Sequence, residues 1–336
     1  MLCFCLLILP YKNNTMKYKL FGSKTGLHAS EILLGAANFG NRKGYGANPD
    51  EAMKILTAYA DAGGNFIDTS DRYQLGESEE IVGKFTEHQR SNFIICTKYT
   101  QSSEASPAIS NFGNHRKAMR QAVDASLKRL KTDYIDIYMP HFDDGITPPD
   151  EIARGVEDLV NSGKVLYTGL TNFPAWKAAA IANTTHLTAI QIEYNLLQRT
   201  ADREFVPMAA HFGLGTMMYS PLAGGLLTGK YRNGETGRIN LSSPSSYHED
   251  GTTKMIIDQL LIIAEELNAT PGQVAFAWVL SKDAFPIVGA RTLNHFDDAL
   301  KAVSISLSTD HIMQLDKLSA VSLGYPHDLL TTVRGL

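Results

Sequence analysis

Eight short apolar runs, separated by segments of helical period, constrain this chain more than any other feature it has. They lie at 32–38, 65–70, 92–98, 133–141, 165–171, 189–195, 216–220 and 286–289. Strand and following helix repeat roughly every 25 to 40 residues, the spacing of consecutive βα units, except for a long gap between the seventh and eighth runs. The segments between them carry helix signals. Asn48-Pro49-Asp50-Glu51 reads as a capping box with proline at the first helical position, and Ala52, Ile55, Leu56 and Tyr59 then share one face. Met119, Ala122, Val123, Ser126, Leu127 and Leu130 repeat the pattern, as do Ile152, Val156, Leu159 and Val160. Thr270-Pro271-Gly272-Gln273 caps another helix in the same way. Eight such units predict an α/β protein, a (β/α)8 TIM barrel.

Two segments stand outside the repeat. Residues 17–20 and 27–29 flank a Gly-rich turn at 22–26, which predicts an N-terminal β-hairpin. After the seventh strand comes a long loop, 223–251, rich in Gly, Ser and Asn and followed by a helix pair; in a barrel it would lie over the mouth as a lid or substrate loop. No linker or composition shift divides the chain, so residues 16–336 read as a single barrel domain. Residues 1–15 form an apolar leader with no preceding Lys or Arg and no small-residue cleavage site. The leader is also too short for a bilayer, which takes about 20 apolar residues. Met16 opens a more ordinary amino terminus, so an upstream start codon is favoured over a membrane or export signal.

A hydrophobic content of 44% supplies a sizeable core. A net charge of −4 and a pI near 6.2 give no electrostatic case for nucleic acid or an anionic membrane, so a small-molecule partner is expected. Three cysteines, two of them in the leader, make no disulfide framework, and Cys96 lies inside an apolar run. A reducing, cytoplasmic location follows. Oligomeric state is not written in the sequence, and a homo-oligomer is left open.

In a (β/α)8 barrel the carboxyl ends of the strands converge on one mouth. The residues there are Asn38, Asp68 with Tyr73, Lys98, His141, Asn172, Gln191 with Asn195, Tyr219 and Arg291. Each alone has an ordinary structural reading: a strand-end Asp or Asn is most often a turn or cap residue, a Lys is usually solvated, and Tyr219 could be core. As a set, Asp68, Tyr73, Lys98 and His141 are more specific, because they end three successive strands and form one acid-base group. Such a group suits proton donation to a carbonyl oxygen. A nearby ammonium would stabilise the Tyr73 phenolate and bring its pKa down from about 10. Asp68 would hold Lys98 charged and in place, and a neutral His141 could orient and polarise the carbonyl.

At these residues the sequence resembles the aldo-keto reductase family, from Lys17 to about Leu307. The resemblance rests on Asn65 to Tyr73 with Gly76-Glu77-Ser78-Glu79, on Thr97-Lys98, and on Asp133-Tyr134-Ile135-Asp136 leading to His141. It continues through Gly163-Lys164-Val165 to Gly169-Leu170-Thr171-Asn172-Phe173, then Gln191 to Asn195, Tyr219-Ser220-Pro221-Leu222 and Gly289-Ala290-Arg291-Thr292. Asn114-His115-Arg116-Lys117 and the stretch from Asn172 to Trp176 look most like the aryl-alcohol dehydrogenase branch. What this implies is NADPH-dependent reduction of aldehydes or ketones to alcohols, or the reverse oxidation with NADP+, without a metal. Asp68, Tyr73, Lys98 and His141 would be the catalytic tetrad, with Tyr73 the general acid. Thr171, Asn172 and Gln191 would bind the nicotinamide carboxamide, and Tyr219 would stack on its ring. Leu222, Gly224 and Lys230, with Ser220 and Pro221 in the same run, would follow the pyrophosphate, and Arg291 would pair with the 2′-phosphate. Gly289, His295 and Asp298 would complete the cofactor set. Phe39, Phe142 and Phe173, with Trp176, are candidates for an aromatic-walled mouth suited to aryl or medium-chain aldehydes, although simple packing explains such residues equally well.

The chain departs from the family pattern in four places. Val288 stands where Pro usually precedes Gly289, His295 where Gln or Arg is usual, Ala299 where an Asn commonly contacts adenine, and Gln74 where Gly usually follows the tyrosine.

Other readings are weaker. Gly224-x-x-x-x-Gly229-Lys230 has most of a phosphate-binding P-loop, but Tyr231 stands where Ser or Thr should hold magnesium. No Gly-x-Gly-x-x-Gly follows any strand, which argues against a Rossmann dehydrogenase. His141-Phe142-Asp143-Asp144 hints at a metal-dependent hydrolase, yet the first strand ends in Asn38-Phe39-Gly40 with no His pair. The serious rival is a barrel that binds NADPH as a regulatory subunit or redox sensor with little turnover; an intact tetrad argues against it.

Overall fold

The computed structural model describes residues 16–235, 237 and 249–334. The leader, 1–15, residues 236 and 238–248 of the long loop, and 335–336 lie outside the described residues. A two-stranded antiparallel hairpin comes first, β1 (Tyr18–Leu20) and β2 (His28–Ser30). Its turn needs Gly22, whose φ is +73° and where a Cβ would come within 2.6 Å of the Gly213 carbonyl oxygen.

Eight parallel strands then close into a barrel: β3 (Leu33–Gly35), β4 (Phe66–Asp68), β5 (Ile94–Tyr99), β6 (Ile135–Pro140), β7 (Val165–Thr171), β8 (Leu187–Glu193), β9 (Gly215–Tyr219) and β10 (Phe285–Gly289). They pair in chain order, and β10 pairs with β3 to complete the ring. The (β/α)8 architecture and the hairpin expected from the sequence are therefore both present, with strand ends shifted by a few residues where the chain turns into loops.

Alternation along the strands divides the barrel into layers. Phe66 and Phe285, each the first residue of its strand, mark the amino-terminal end, and one buried cluster joins them to Ile94, Cys96, Ile137, Met139, Ala189, Met217 and Ile287. Phe21 of the hairpin turn packs on Phe66 and Phe285 at ring-centroid distances of 5.3 and 5.1 Å and plugs that end. The polar site is thereby left to the opposite, carboxyl end.

Helices α1 (Pro49–Asp61), α2 (Glu77–Thr86), α3 (Arg116–Leu130), α4 (Pro149–Asn161), α5 (Ala175–Ala182) and α6 (Ala201–Phe212) follow β3 to β8 in turn. After β9 comes the expected helix pair, α7 (Gly251–Glu266) and α8 (Pro271–Leu280), and after β10 come α9 (Leu293–Lys301), α10 (Thr309–Leu318) and α11 (His327–Arg334). The capping box at Thr270 is reciprocal, with Gln273 N–H donating to Thr270 Oγ1 and the Gln273 side chain returning a bond to the Thr270 N–H. At Asn48 only half of the box forms. Asn48 Oδ1 accepts from Glu51 N–H at 2.9 Å, but the Glu51 carboxylate turns away to accept from Leu293 N–H at 2.8 Å. Leu293 opens α9 and its N–H has no intrahelical acceptor, so Glu51 joins the first and last barrel helices instead of closing its own cap.

The start of the long loop is structured: residues 223–228 and 230–233 wind into two 3₁₀ turns. A lid role for 223–251 falls in part on residues outside those described, 236 and 238–248.

Candidate active site

The inward positions one layer above the apolar plug are polar. Asp68 ends β4, Lys98 lies near the end of β5, and Gln191 is inward on β8. Asp68 and Lys98 are 3% and 0% exposed. Lys98 Nζ donates to Asp68 Oδ1 at 2.7 Å and Oδ2 at 2.9 Å, and to the Thr69 carbonyl at 2.7 Å. Gln191 Nε2 donates to Asp68 Oδ1 at 2.8 Å. Burial is the largest single influence on Lys98 and opposes its charge, but Asp68, Tyr73 and Cys96 together outweigh it and hold the ammonium above its ordinary pKa.

Tyr73 opens a 3₁₀ turn whose next two residues, Gln74 and Leu75, have φ of 49° and 56°, followed by Gly76 at 88°. This left-handed run turns the chain sharply, so that the Tyr73 ring reaches the barrel mouth. Lys98 Nζ lies 5.1 Å from the ring centroid, and the His141 ring meets it edge-on at 5.5 Å. Contrary to the sequence expectation, the phenol pKa is raised. Burial dominates, Lys98 pulls the other way, and Asp68 cancels part of that pull because it neutralises the ammonium. The phenol therefore keeps its proton, the state a general acid needs.

His141 follows β6. Its pKa is pushed down to about 3, first by burial and then by the Lys98 charge, so the ring is neutral, as the sequence reading required. Its Nδ1 lies 3.1 Å from Ser70 Oγ.

Asp68, Tyr73, His141 and Gln191 line one end of a cavity of about 470 Å³. From there it runs past Asn172, Tyr219, Ser220, Pro221 and Leu222 to Gly224, Lys230, Gly289, Arg291, His295 and Asp298. Lys98 lies behind this wall. So does Thr171, whose hydroxyl donates to the Met139 sulfur at 3.3 Å. Asn172 (φ 55°) and Ser220 (φ 54°) make the turns out of β7 and β9, and Tyr219 Oη donates to Asn172 Oδ1 at 2.9 Å while Asn172 Nδ2 donates to the His141 carbonyl at 3.1 Å. Asn195 Nδ2 holds the Ser220 carbonyl at 3.0 Å.

The far end is basic. Burial, then Arg291, then Lys230 push the His295 pKa down while Asp298 draws it up, and Asp298 Oδ1 already accepts from Gln273 Nε2 at 2.7 Å. Converging positive charge of this kind fits a phosphate group. An acid-base cluster and a set of cations lining one cavity fit a dinucleotide.

The aromatic wall is different from that expected. Phe39 and Phe173 are 0% and 2% exposed and belong to the hydrophobic core, each packed in a buried cluster with apolar residues of the barrel helices. Phe142 lies beside His141 at 6.3 Å between centroids, and Trp176 stands 68% exposed. Besides Tyr73, His141 and Tyr219, the cavity is lined by two aromatic residues that the sequence reading does not single out, Phe276 and Tyr45; nothing in its own loop marks Tyr45, and the Arg291 guanidinium stacks over its ring at 4.4 Å. The departure at Gln74 explains how Tyr45 is held. Gln74 Nε2 donates to the Tyr45 carbonyl at 2.6 Å, and Gln74 Oε1 accepts from Lys43 N–H at 2.9 Å.

Among the described residues no group of three or more His, Cys, Asp or Glu is placed to hold a metal ion, and no helix is long and apolar enough to cross a membrane.

Fold and cavity together define a (β/α)8 barrel of the kind that enzymes use, with its polar side chains gathered where the strands end. The chain belongs to the aldo/keto reductase family, an oxidoreductase family whose sequence model matches residues 31–320. It is 34% identical over 330 residues to the aryl-alcohol dehydrogenase [NADP(+)] of Phanerodontia chrysosporium, covering 90% of this chain and 86% of that protein. It is 31% identical over 339 residues to the aldo-keto reductase ausK of Aspergillus calidoustus, covering 94% and 85%. It is 31% identical over 330 residues to the norsolorinic acid reductase of Aspergillus flavus, covering 93% and 84%.

Proposed function

We propose that this chain is an NADPH-dependent carbonyl reductase that converts aldehydes or ketones to alcohols, reversibly, with Tyr73 as the general acid. The observation that carries this reading is the convergence of Asp68, Lys98, Tyr73 and His141 at one end of a cavity whose other end gathers Arg291, Lys230 and His295. When bound, NADPH supplies the hydride. Tyr219, Asn172 and Gln191 would hold its nicotinamide end, with Ser220, Pro221, Leu222 and Gly224 along the middle. Arg291 would meet the 2′-phosphate, a planar fork against a dianion. A relative named for NADP(+) agrees with that choice.

The carbonyl oxygen is held by Tyr73 Oη and by His141, whose neutral ring can donate one hydrogen bond. As the carbonyl carbon gains hydride, negative charge grows on the oxygen and Tyr73 passes it the phenolic proton. Lys98 stabilises the phenolate left behind, and Asp68 keeps Lys98 charged and aimed. Solvent then restores the phenol. General acid transfer of this type contributes about 10²–10⁴-fold.

The test is NADPH oxidation followed by absorbance against a panel of aldehydes and ketones that includes 4-nitrobenzaldehyde, with NADH run in parallel. Carbonyl-dependent oxidation that prefers NADPH is expected. Binding of NADPH without turnover of any panel member would move the protein to the sensor reading.

A further inference from the structure

A second buried polar chain runs behind the candidate site. Ser70 is fully buried, and its Oγ lies 3.1 Å from His141 Nδ1, 3.3 Å from Asp71 Oδ1 and 3.4 Å from the Lys98 carbonyl, while Arg72 N–H donates to it at 3.2 Å. Asp71 is 1% exposed and does not line the cavity. The groups that face it are Glu79 of α2, Arg129 of α3, Tyr99 of β5 and Tyr138 of β6, with His141 reached through Ser70. Glu79 already occupies Arg129 at 2.6 Å and the Thr97 hydroxyl at 2.6 Å, so Asp71 has a neighbouring carboxylate but no cation of its own among the described residues. Burial and then Glu79 push its pKa up to about 7, against the pull of Arg129, Ser70 and the Arg72 N–H.

The Ser70 hydroxyl has a single proton to give. With Asp71 ionised, Ser70 donates to the carboxylate, so His141 Nδ1 must carry the hydrogen that bonds to Ser70 Oγ. Nε2 is then a bare lone pair. With Asp71 protonated, the carboxyl donates to Ser70 Oγ, Ser70 donates to Nδ1, and the ring hydrogen moves to Nε2.

We infer that Asp71 and Ser70 are positioning residues that choose the tautomer of His141, presenting an N–H to a carbonyl when Asp71 is protonated and a lone pair to an alcohol when it is ionised. The exchange consumes one proton from solution and nothing else. That proton enters at Nε2, the Nδ1 hydrogen passes to Ser70 Oγ, and the Ser70 hydrogen passes to Asp71. The ring remains neutral in both states. The consequence for turnover rests on the carbonyl reductase reading, whereas the tautomer equilibrium does not.

The experiment is 15N NMR of the full chain labelled at histidine, with His141→Gln to assign the resonances, recorded at about pH 5.5 and 8.5. The wild type is expected to change from Nε2–H to Nδ1–H, and Ser70→Ala and Asp71→Asn to keep one tautomer at both pH values. In parallel, kcat/KM for carbonyl reduction should fall about tenfold across that range in the wild type, the worth of one hydrogen bond, and lose that step in both variants. A single His141 tautomer at all pH values in the wild type, or an unchanged switch in Ser70→Ala, overturns the inference. A tautomer change in a protein that turns over no carbonyl would uphold the relay and remove the reductase reading instead.

Discussion

The Lys98 ammonium is seated between both oxygens of Asp68, at 2.7 and 2.9 Å, with Lys98 fully buried and Asp68 only 3% exposed, at the cavity wall. Removing one partner of such a pair leaves the other as a buried, uncompensated charge, which costs about 3–5 kcal/mol. Lys98→Met should therefore lower unfolding free energy by about that amount in urea titrations. Adding Asp68→Asn to it should restore part of the loss, because the orphaned carboxylate is gone. A double variant no more stable than Lys98→Met would show that the pair is not the source of the cost.

Tyr73→Phe removes the phenolic oxygen and leaves the ring against His141. NADPH affinity, read by fluorescence titration, should stay within the wild-type range, while carbonyl reduction falls by about 10²–10⁴. Retained turnover would take the general acid away from Tyr73.

The site was legible in the sequence to the extent that strand alternation carries it. Inward positions run Phe66-x-Asp68, Ile94-x-Cys96-x-Lys98 and Met217-x-Tyr219, apolar low in the barrel and polar at its mouth, so a residue near a strand's end is also one whose direction is known. Loop residues lack that periodicity. Phe39 and Phe173 have the composition of a pocket wall and the environment of a core, and Tyr45 lines the cavity with its backbone held by Gln74, nearly thirty residues on, and its ring under Arg291. Likewise the sign of the Tyr73 shift depends on burial outweighing Lys98, a balance that spacing does not contain. Glu51 shows the same limit at a helix start: its partner, Leu293, lies at the other end of the chain.

Stability should also depend on pH through Asp71. Its folded pKa is raised to about 7, so the unfolded chain loses this proton near pH 4 while the folded chain keeps it. Stability from this group is complete below about pH 4 and is lost as pH rises through 7. Asp71→Asn has no such loss. Its unfolding free energy relative to wild type should improve between pH 5 and pH 8, by on the order of 3 kcal/mol at 1.36 kcal/mol per pKa unit. A constant difference across that range would mean that Asp71 titrates normally.

Cofactor choice should reside at the basic end of the cavity and in the loop that supports it. Arg291 stacks on Tyr45 at 4.4 Å, which holds the guanidinium plane while leaving its N–H edge for a ligand. Arg291→Ala should weaken NADPH by about ten- to a hundredfold, the range for a charge-assisted hydrogen bond, with little change for NADH, which has no 2′-phosphate. Gln74→Ala acts one step further back. It frees the Lys43 N–H and the Tyr45 carbonyl, at about 1 kcal/mol each, and so loosens the ring beneath Arg291. The preference for NADPH over NADH should then narrow by severalfold, less than in Arg291→Ala, and the double variant should lose little more than Arg291→Ala alone, since both act on one interaction. Fluorescence titrations of the four proteins with each cofactor decide this. Equal weakening of NADPH and NADH in Arg291→Ala would remove the 2′-phosphate from Arg291, and full additivity in the double variant would separate Gln74 from it.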